Sequence, residues 1–120
     1  ETDITEEKIW KHLPKFDHIY CVAVIHHLPT TKDHLFLLDQ INKHLKPGGK
    51  VLLTAWNLWQ PKYLKYHFPN PFKFYIPFQS HPRFHFAFST FYFKYLLWKL
   101  NLNWKISKSP KNYIIFSLPA

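Results

Sequence analysis

From Ile19 to Ile25 the sequence is apolar without a break and rich in β-branched and aromatic side chains. Taken with Phe16-Asp17-His18 before it, the run reads as a strand that is apolar on both alternating faces. Such strands belong in parallel sheets covered on both sides. His26-His27-Leu28-Pro29-Thr30-Thr31 follows as a loop. Thr30 and Thr31 are helix-capping residues, and Asp33 suits the positive end of the helix they open. Leu35, Leu38, Ile41 and Leu45 recur at helical spacing, with Lys32, Asp39, Asn42, Lys43 and Lys46 largely between them. Leu45-Lys46-Pro47-Gly48-Gly49 ends that helix, because proline cannot continue it and glycine suits a left-handed cap. Lys50-Val51-Leu52-Leu53-Thr54-Ala55-Trp56 then gives a second strand. Strand, helix, strand is the βαβ unit of a parallel sheet, so the fold class expected is α/β.

The flanks are simpler. Glu6 to His12 suits a short helix capped by Thr5 and ended by Leu13-Pro14-Lys15. Residues 57–88 carry Pro61, Pro69, Pro71, Pro77 and Pro82 among many Phe and Tyr. That density of proline predicts an insertion packed by its aromatics, without long regular elements. Ser89 or Thr90 caps a helix running to about Leu100, with Phe93, Leu96, Leu97 and Leu100 inward. Trp104-Lys105-Ile106-Ser107 and Tyr113 to Leu118 read as strands of an antiparallel hairpin across Lys108-Ser109-Pro110-Lys111-Asn112. At 120 residues the chain holds one small domain. It divides into a βαβ core over 1–56, the insertion over 57–88, and a helix with hairpin over 89–118.

Several classes of function are excluded by composition. The chain has two glycines, and they are adjacent, so neither glycine-rich phosphate loop can be written within it. Its single cysteine, Cys21, excludes an internal disulfide framework and a cysteine-rich zinc site. No run reaches the ~18 apolar residues of a membrane span. The first ten residues are acidic and unlike a signal peptide. A cytoplasmic protein is therefore expected. A first residue of Glu1 and the lack of any Met point to a processed or incomplete chain.

Charge is uneven. Lys and Arg number 16 against 7 Asp and Glu, a net charge of +9. No acidic residue follows Asp39, whereas Lys62, Lys65, Lys73, Arg83, Lys94, Lys99, Lys105, Lys108 and Lys111 all lie beyond Gln60. A basic half interleaved with aromatics suits a polyanion whose unpaired bases can stack, such as RNA. With one Arg in the chain, bidentate reading of phosphates or bases is weakly supported.

In open parallel sheets ligands bind outside the carboxyl ends of the strands. Ala23 to His27 and Trp56-Asn57 fall at that edge. Phe16-Asp17, Ala23-Val24-Ile25-His26-His27-Leu28, Leu45-Lys46-Pro47-Gly48-Gly49-Lys50 and Trp56, in this order, resemble the second half of a class I S-adenosylmethionine-dependent methyltransferase. Within that superfamily the sequence is most similar to the tRNA wobble-uridine carboxymethyl methyltransferases, including the methyltransferase domain of the AlkB-homologue tRNA enzyme. Tyr75-Ile76-Pro77-Phe78, Arg83-Phe84-His85, Phe88-Ser89 and Asn112-Tyr113 resemble later segments of the same family. The resemblance spans about residues 3–118 and is strongest over 16–56.

The resemblance implies a partial Rossmann-like sheet, strands four to seven, with the last hairpin antiparallel. The family's glycine-rich cofactor loop and acidic ribose contact belong to an N-terminal half that these residues do not include, and catalysis without that half is not expected. For the cofactor S-adenosylmethionine, the resemblance assigns Asp3 to the adenine amino group and Ile4 to the adenine ring. It assigns Ala23, Val24 and His27 to the methionine end. On the substrate or RNA side stand Trp56, Asn57, Lys62, Lys65, Lys73, Arg83 and His85. The partners implied are tRNA or other RNA, the N-terminal half of the same domain and a small activating partner subunit. No catalytic residue is assigned, since a carboxylate acceptor is already an ionised nucleophile.

His26-His27 with Cys21 also invite a metal reading. Adjacent side chains at a strand end point opposite ways, and no second convergent cluster is visible, so no metal is expected. Two further readings compete with the enzyme: a non-catalytic basic RNA-binding α/β module or inactive methyltransferase remnant, and a membrane-surface protein using Phe84 to Leu100. The last is disfavoured because apolar residues surround that helix, and no membrane partner is expected. A half sheet also exposes a strand edge, so the chain is expected to be poorly soluble or completed by a partner.

Overall fold

The computed structural model describes residues 6–22, 24–28, 30–60, 63, 73–78 and 81–117, with backbone alone for 73–78 and 81–84. The elements run α1 (Glu7–Lys11), β1 (Phe16–Val22), a 3-10 turn (Ile25–His27), α2 (Thr31–Lys43), β2 (Leu45–Trp56), β3 (Lys73–Phe78), β4 (His81–Phe86), α3 (Thr90–Lys99), β5 (Lys105–Lys108) and β6 (Asn112–Phe116). Four strands form a mixed sheet in the order β1-β2-β6-β5, and β3 and β4 form a separate hairpin. β1 and β2 are parallel, whereas β6 is antiparallel to both β2 and β5. The βαβ unit and the terminal hairpin are thus the expected ones.

The last strand sits inside β5 because of composition. β6 is Asn-Tyr-Ile-Ile-Phe and buries Tyr113 and Ile115, so it takes the interior position beside β2. β5 is Lys-Ile-Ser-Lys and mostly exposed, and lysines on an edge strand discourage further pairing.

Helix α2 begins at Thr30, whose side chain accepts the Asp33 backbone N–H at 3.1 Å. Ser89 caps α3 in the same way, accepting the Tyr92 N–H at 3.1 Å. The buried face of α2 carries His34, Leu37, Leu38 and Ile41, while Leu35 and Leu45 are only half-buried. On α3, Phe93, Leu96 and Leu97 are buried and Leu100 is half-buried. α1 is capped at Glu6 without a side-chain bond, and Thr5, the expected cap, lies outside the described residues.

Three expectations are corrected. The first strand ends at Val22, and the chain then turns into a 3-10 helix, so Val24 and Ile25 do not continue the sheet. β1 is covered on one face only: Ile19 and Cys21 pack on the core, while Tyr20 and Val22 are 67% and 59% exposed. It stands at the edge of the sheet among the described residues. The proline-rich segment holds a regular hairpin, with Pro77 and Pro82 at one register position beside its turn. A strand without a second neighbour tolerates proline, because the missing N–H breaks no ladder on the open side.

The Lys46-Pro47-Gly48-Gly49 segment is a bulge within β2. Phe16 pairs with Leu45 and His18 with Lys50, so a single β1 residue, Asp17, faces all four. Gly48 takes a φ of 77°, the left-handed region open to glycine.

Candidate functional site

The carboxyl ends of β1 and β2 meet the 3-10 turn and the end of β4. Leaving the sheet at Val22 forces the chain over the strand ends. The Val24 carbonyl accepts the His27 N–H at 3.0 Å and closes the turn. His26 and His27 therefore do not diverge as strand neighbours would: their ring centroids lie 4.4 Å apart. His85 arrives from β4 and stacks on His26 at 5.4 Å and 12°, with its edge to His27 at 4.7 Å. The Trp56 indole covers both buried rings, at 5.0 Å from His26 and 5.2 Å from His85. His26 and His85 are buried and His27 is half-buried.

This crowding has an electrostatic consequence. Burial, with the neighbouring His27 and His85 rings, pushes the His26 pKa down to about 3. His26 is therefore a neutral imidazole at neutral pH. Cys21 does not join the group. It lies on β1, and burial pushes its thiol up to about 11, which leaves it an unreactive thiol.

The residues expected at the site divide three ways. Val24 and His27 stand half-buried at the carboxyl edge, and Trp56 and His85 are beside them. Asn57 is buried and its side chain is spent on the fold. Its Nδ2 donates to the Ser109 carbonyl at 3.2 Å, and its Oδ1 accepts the Trp59 N–H at 3.1 Å. Asp3, Ile4, Ala23, Lys62 and Lys65 lie outside the described residues. Lys73 and Arg83 are placed by backbone only, opposite Phe86 and Ile76 respectively. His26 was not among the expected contacts, and its packing with His85, 59 residues on, depends on the β3–β4 hairpin.

A second surface emerges on α3. Phe91, Tyr95 and Trp98 are 86%, 43% and 75% exposed and follow one helical stripe, with Lys94 and Lys99 also exposed. Apolar residues do surround this helix, but this face is bare. Among the described residues no helix is long and apolar enough to cross a membrane.

Residues 2–104 match the family model of a methyltransferase domain. The chain belongs to the methyltransferase-domain family. Solved methyltransferase structures share this domain's α/β fold. One is a S-adenosylmethionine-dependent methyltransferase from Methanosarcina mazei, at 15% identity and a TM-score of 0.71, covering 96% of this chain and 63% of its own. Another, from Clostridium acetobutylicum, has 14% identity and a TM-score of 0.67, with 96% and 61% covered. An O-methyltransferase family protein from Burkholderia thailandensis has 9% identity and a TM-score of 0.63, with 100% and 35% covered. No curated protein sequence matches significantly. This methyltransferase domain chain thus spans 35% to 63% of the length of these three structures. The α/β class and the partial Rossmann-like sheet expected from the sequence agree with this match.

Proposed function

We propose that the chain forms one half of an S-adenosylmethionine-dependent methyltransferase domain, and that the complete enzyme methylates the carboxymethyl group of a tRNA wobble uridine. The observation that carries the cofactor reading is the turn after β1. It brings Val24 and His27 to the carboxyl edge of a parallel pair in a sheet shared with S-adenosylmethionine-dependent enzymes. Both residues are only half-buried there, so the methionine end of a cofactor can reach them. Ala23 would complete that contact, and Asp3 and Ile4 would hold the adenine. When bound, the cofactor supplies an electrophilic methyl group.

A carboxylate acceptor needs no base, so this chain's task is to hold the acceptor in line and keep water out. The Trp56 ring, with the stacked histidines, walls that edge. The glycine-rich loop and ribose contact come from the N-terminal half of the domain, which pairs along the open edge of β1. RNA is held by the basic second half. Phe91, Tyr95 and Trp98 offer rings for unpaired bases, and Lys94, Lys99, Lys105, Lys62, Lys65, Lys73 and Arg83 supply charge. A small activating subunit and a cytoplasmic location belong to the same reading.

The test is methyl transfer by the whole domain to anticodon stem-loops that carry carboxymethyluridine or plain uridine at the wobble position. Transfer to the first alone is expected, with binding that weakens steeply as salt rises. Transfer to neither would refute the acceptor. RNA binding without transfer would leave a non-catalytic RNA-binding module.

A further inference from the structure

Three imidazoles from two distant segments converge on one spot. One ring nitrogen from each of His26, His27 and His85 lies within 4.8 Å of the others. The Nε2 of His26 is buried and has no hydrogen-bond partner among the described residues. Its Nδ1 accepts the Trp56 backbone N–H at 3.4 Å, well beyond the ordinary length for such a bond. A buried polar nitrogen left unsatisfied costs stability unless something binds it. The expectation of divergent neighbouring histidines fails because a 3-10 turn, and not a strand end, carries them.

We infer that His26, His27 and His85 form a binding site for a divalent transition-metal ion of the zinc or cobalt type. Three nitrogen ligands without thiolate or carboxylate suit these ions, for which imidazole is the commonest ligand. Metal–nitrogen bonds of about 2.0–2.1 Å in a tetrahedral site place the nitrogens about 3.3 Å apart. The rings must close by roughly 1.5 Å at most from their present spread. His27 is half-buried and provides both the room to move and the route by which an ion enters. Coordination through His26 Nε2 shifts the ring proton to Nδ1 and gives up the long contact to Trp56. Three protein ligands leave a fourth position open to an oxygen donor, either water or a carboxylate. The inference goes beyond the methyltransferase reading and does not depend on cofactor binding.

The experiment uses the tag-free whole domain, stripped with chelator and titrated with Co²⁺ and then Zn²⁺. Expected are one Co²⁺ per chain, the visible absorption of a four-coordinate site, and displacement by one equivalent of Zn²⁺. His27→Ala and His85→Ala should each weaken binding by at least about 100-fold, since changes merely behind a ligand already cost 10–100-fold. His18→Ala, at an exposed position on β1, should leave it unchanged. If His85→Ala unfolds the chain by circular dichroism, His27→Ala decides, because its side chain is only half-buried. The inference is overturned if no stoichiometric Co²⁺ complex forms, or if binding survives His27→Ala undiminished.

Discussion

His34→Ala is expected to lower stability by about 3–5 kcal/mol, read as a shift of the urea midpoint with an unchanged slope. His34 is fully buried on the inner face of α2. Its Nε2 lies 2.7 Å from the Leu28 carbonyl, which can only accept, so Nε2 carries the proton. Nδ1 lies 2.7 Å from the Tyr92 hydroxyl, whose oxygen is 2.9 Å from the Thr31 Oγ1. Phe86 and Phe88 pack on the ring with centroids at 4.7 and 4.8 Å. One side chain thus ties α2, α3, the end of β4 and the loop below the histidine turn. Its removal opens a cavity and leaves the half-buried Leu28 carbonyl without this partner. Tyr92→Phe removes one hydroxyl and should cost about 1–2 kcal/mol. The double variant should lose less than the sum, because the two share a bond. A loss under about 1 kcal/mol for His34→Ala would place the ring outside the core network.

Gly49→Ala is expected to cost about 2–3 kcal/mol and to disturb the start of β2. A Cβ at this position would stand 2.8 Å from the Lys46 carbonyl oxygen and 3.2 Å from that of Asp17. Both are backbone atoms and cannot swing aside. Gly48→Ala meets no neighbour, and its cost comes from a φ of 77°, about 1–2 kcal/mol. The two adjacent glycines therefore fail for different reasons: crowding at one, backbone conformation at the other. Equal stability for Gly49→Ala and the parent would contradict the bulge in the β1–β2 register.

What could be read from the sequence was what depends on local pattern. The apolar run after Phe16, the helical spacing of Leu38 and Ile41, the serine before α3 and the apolar Tyr113-Ile114-Ile115 each specify an element by themselves. The misreadings arose where a tertiary neighbour decides. Cys21 and Ile19 face a core while Tyr20 and Val22 are exposed, because no described element covers that face of β1. His34 fell on the inner face of α2 but is polar, so apolar spacing passed over it. The 3-10 turn has no strong local signal, and with it went the convergence of His26 and His27 on a hairpin that prolines had disguised. Asn57 sits at the carboxyl edge as expected, yet its bonds to Ser109 and Trp59 turn it inward.

The site follows the same division. Val24 to Leu28 follow the carboxyl end of β1, whereas Lys46 to Gly49 open β2 at the opposite end of the pair. The family match over residues 2–104 shows the methyltransferase domain. The fully buried pair of histidines under Trp56 required the fold to be seen.

The most direct measurement is a calorimetric titration of S-adenosylmethionine into two samples: this chain alone, and this chain completed by an N-terminal half that carries a glycine-rich cofactor loop. The account predicts no heat of binding for the first and micromolar binding for the second, weakened by substitutions at Val24 and His27. Tight binding by the chain alone, or none by either sample, would contradict a cofactor site shared between two halves of one domain.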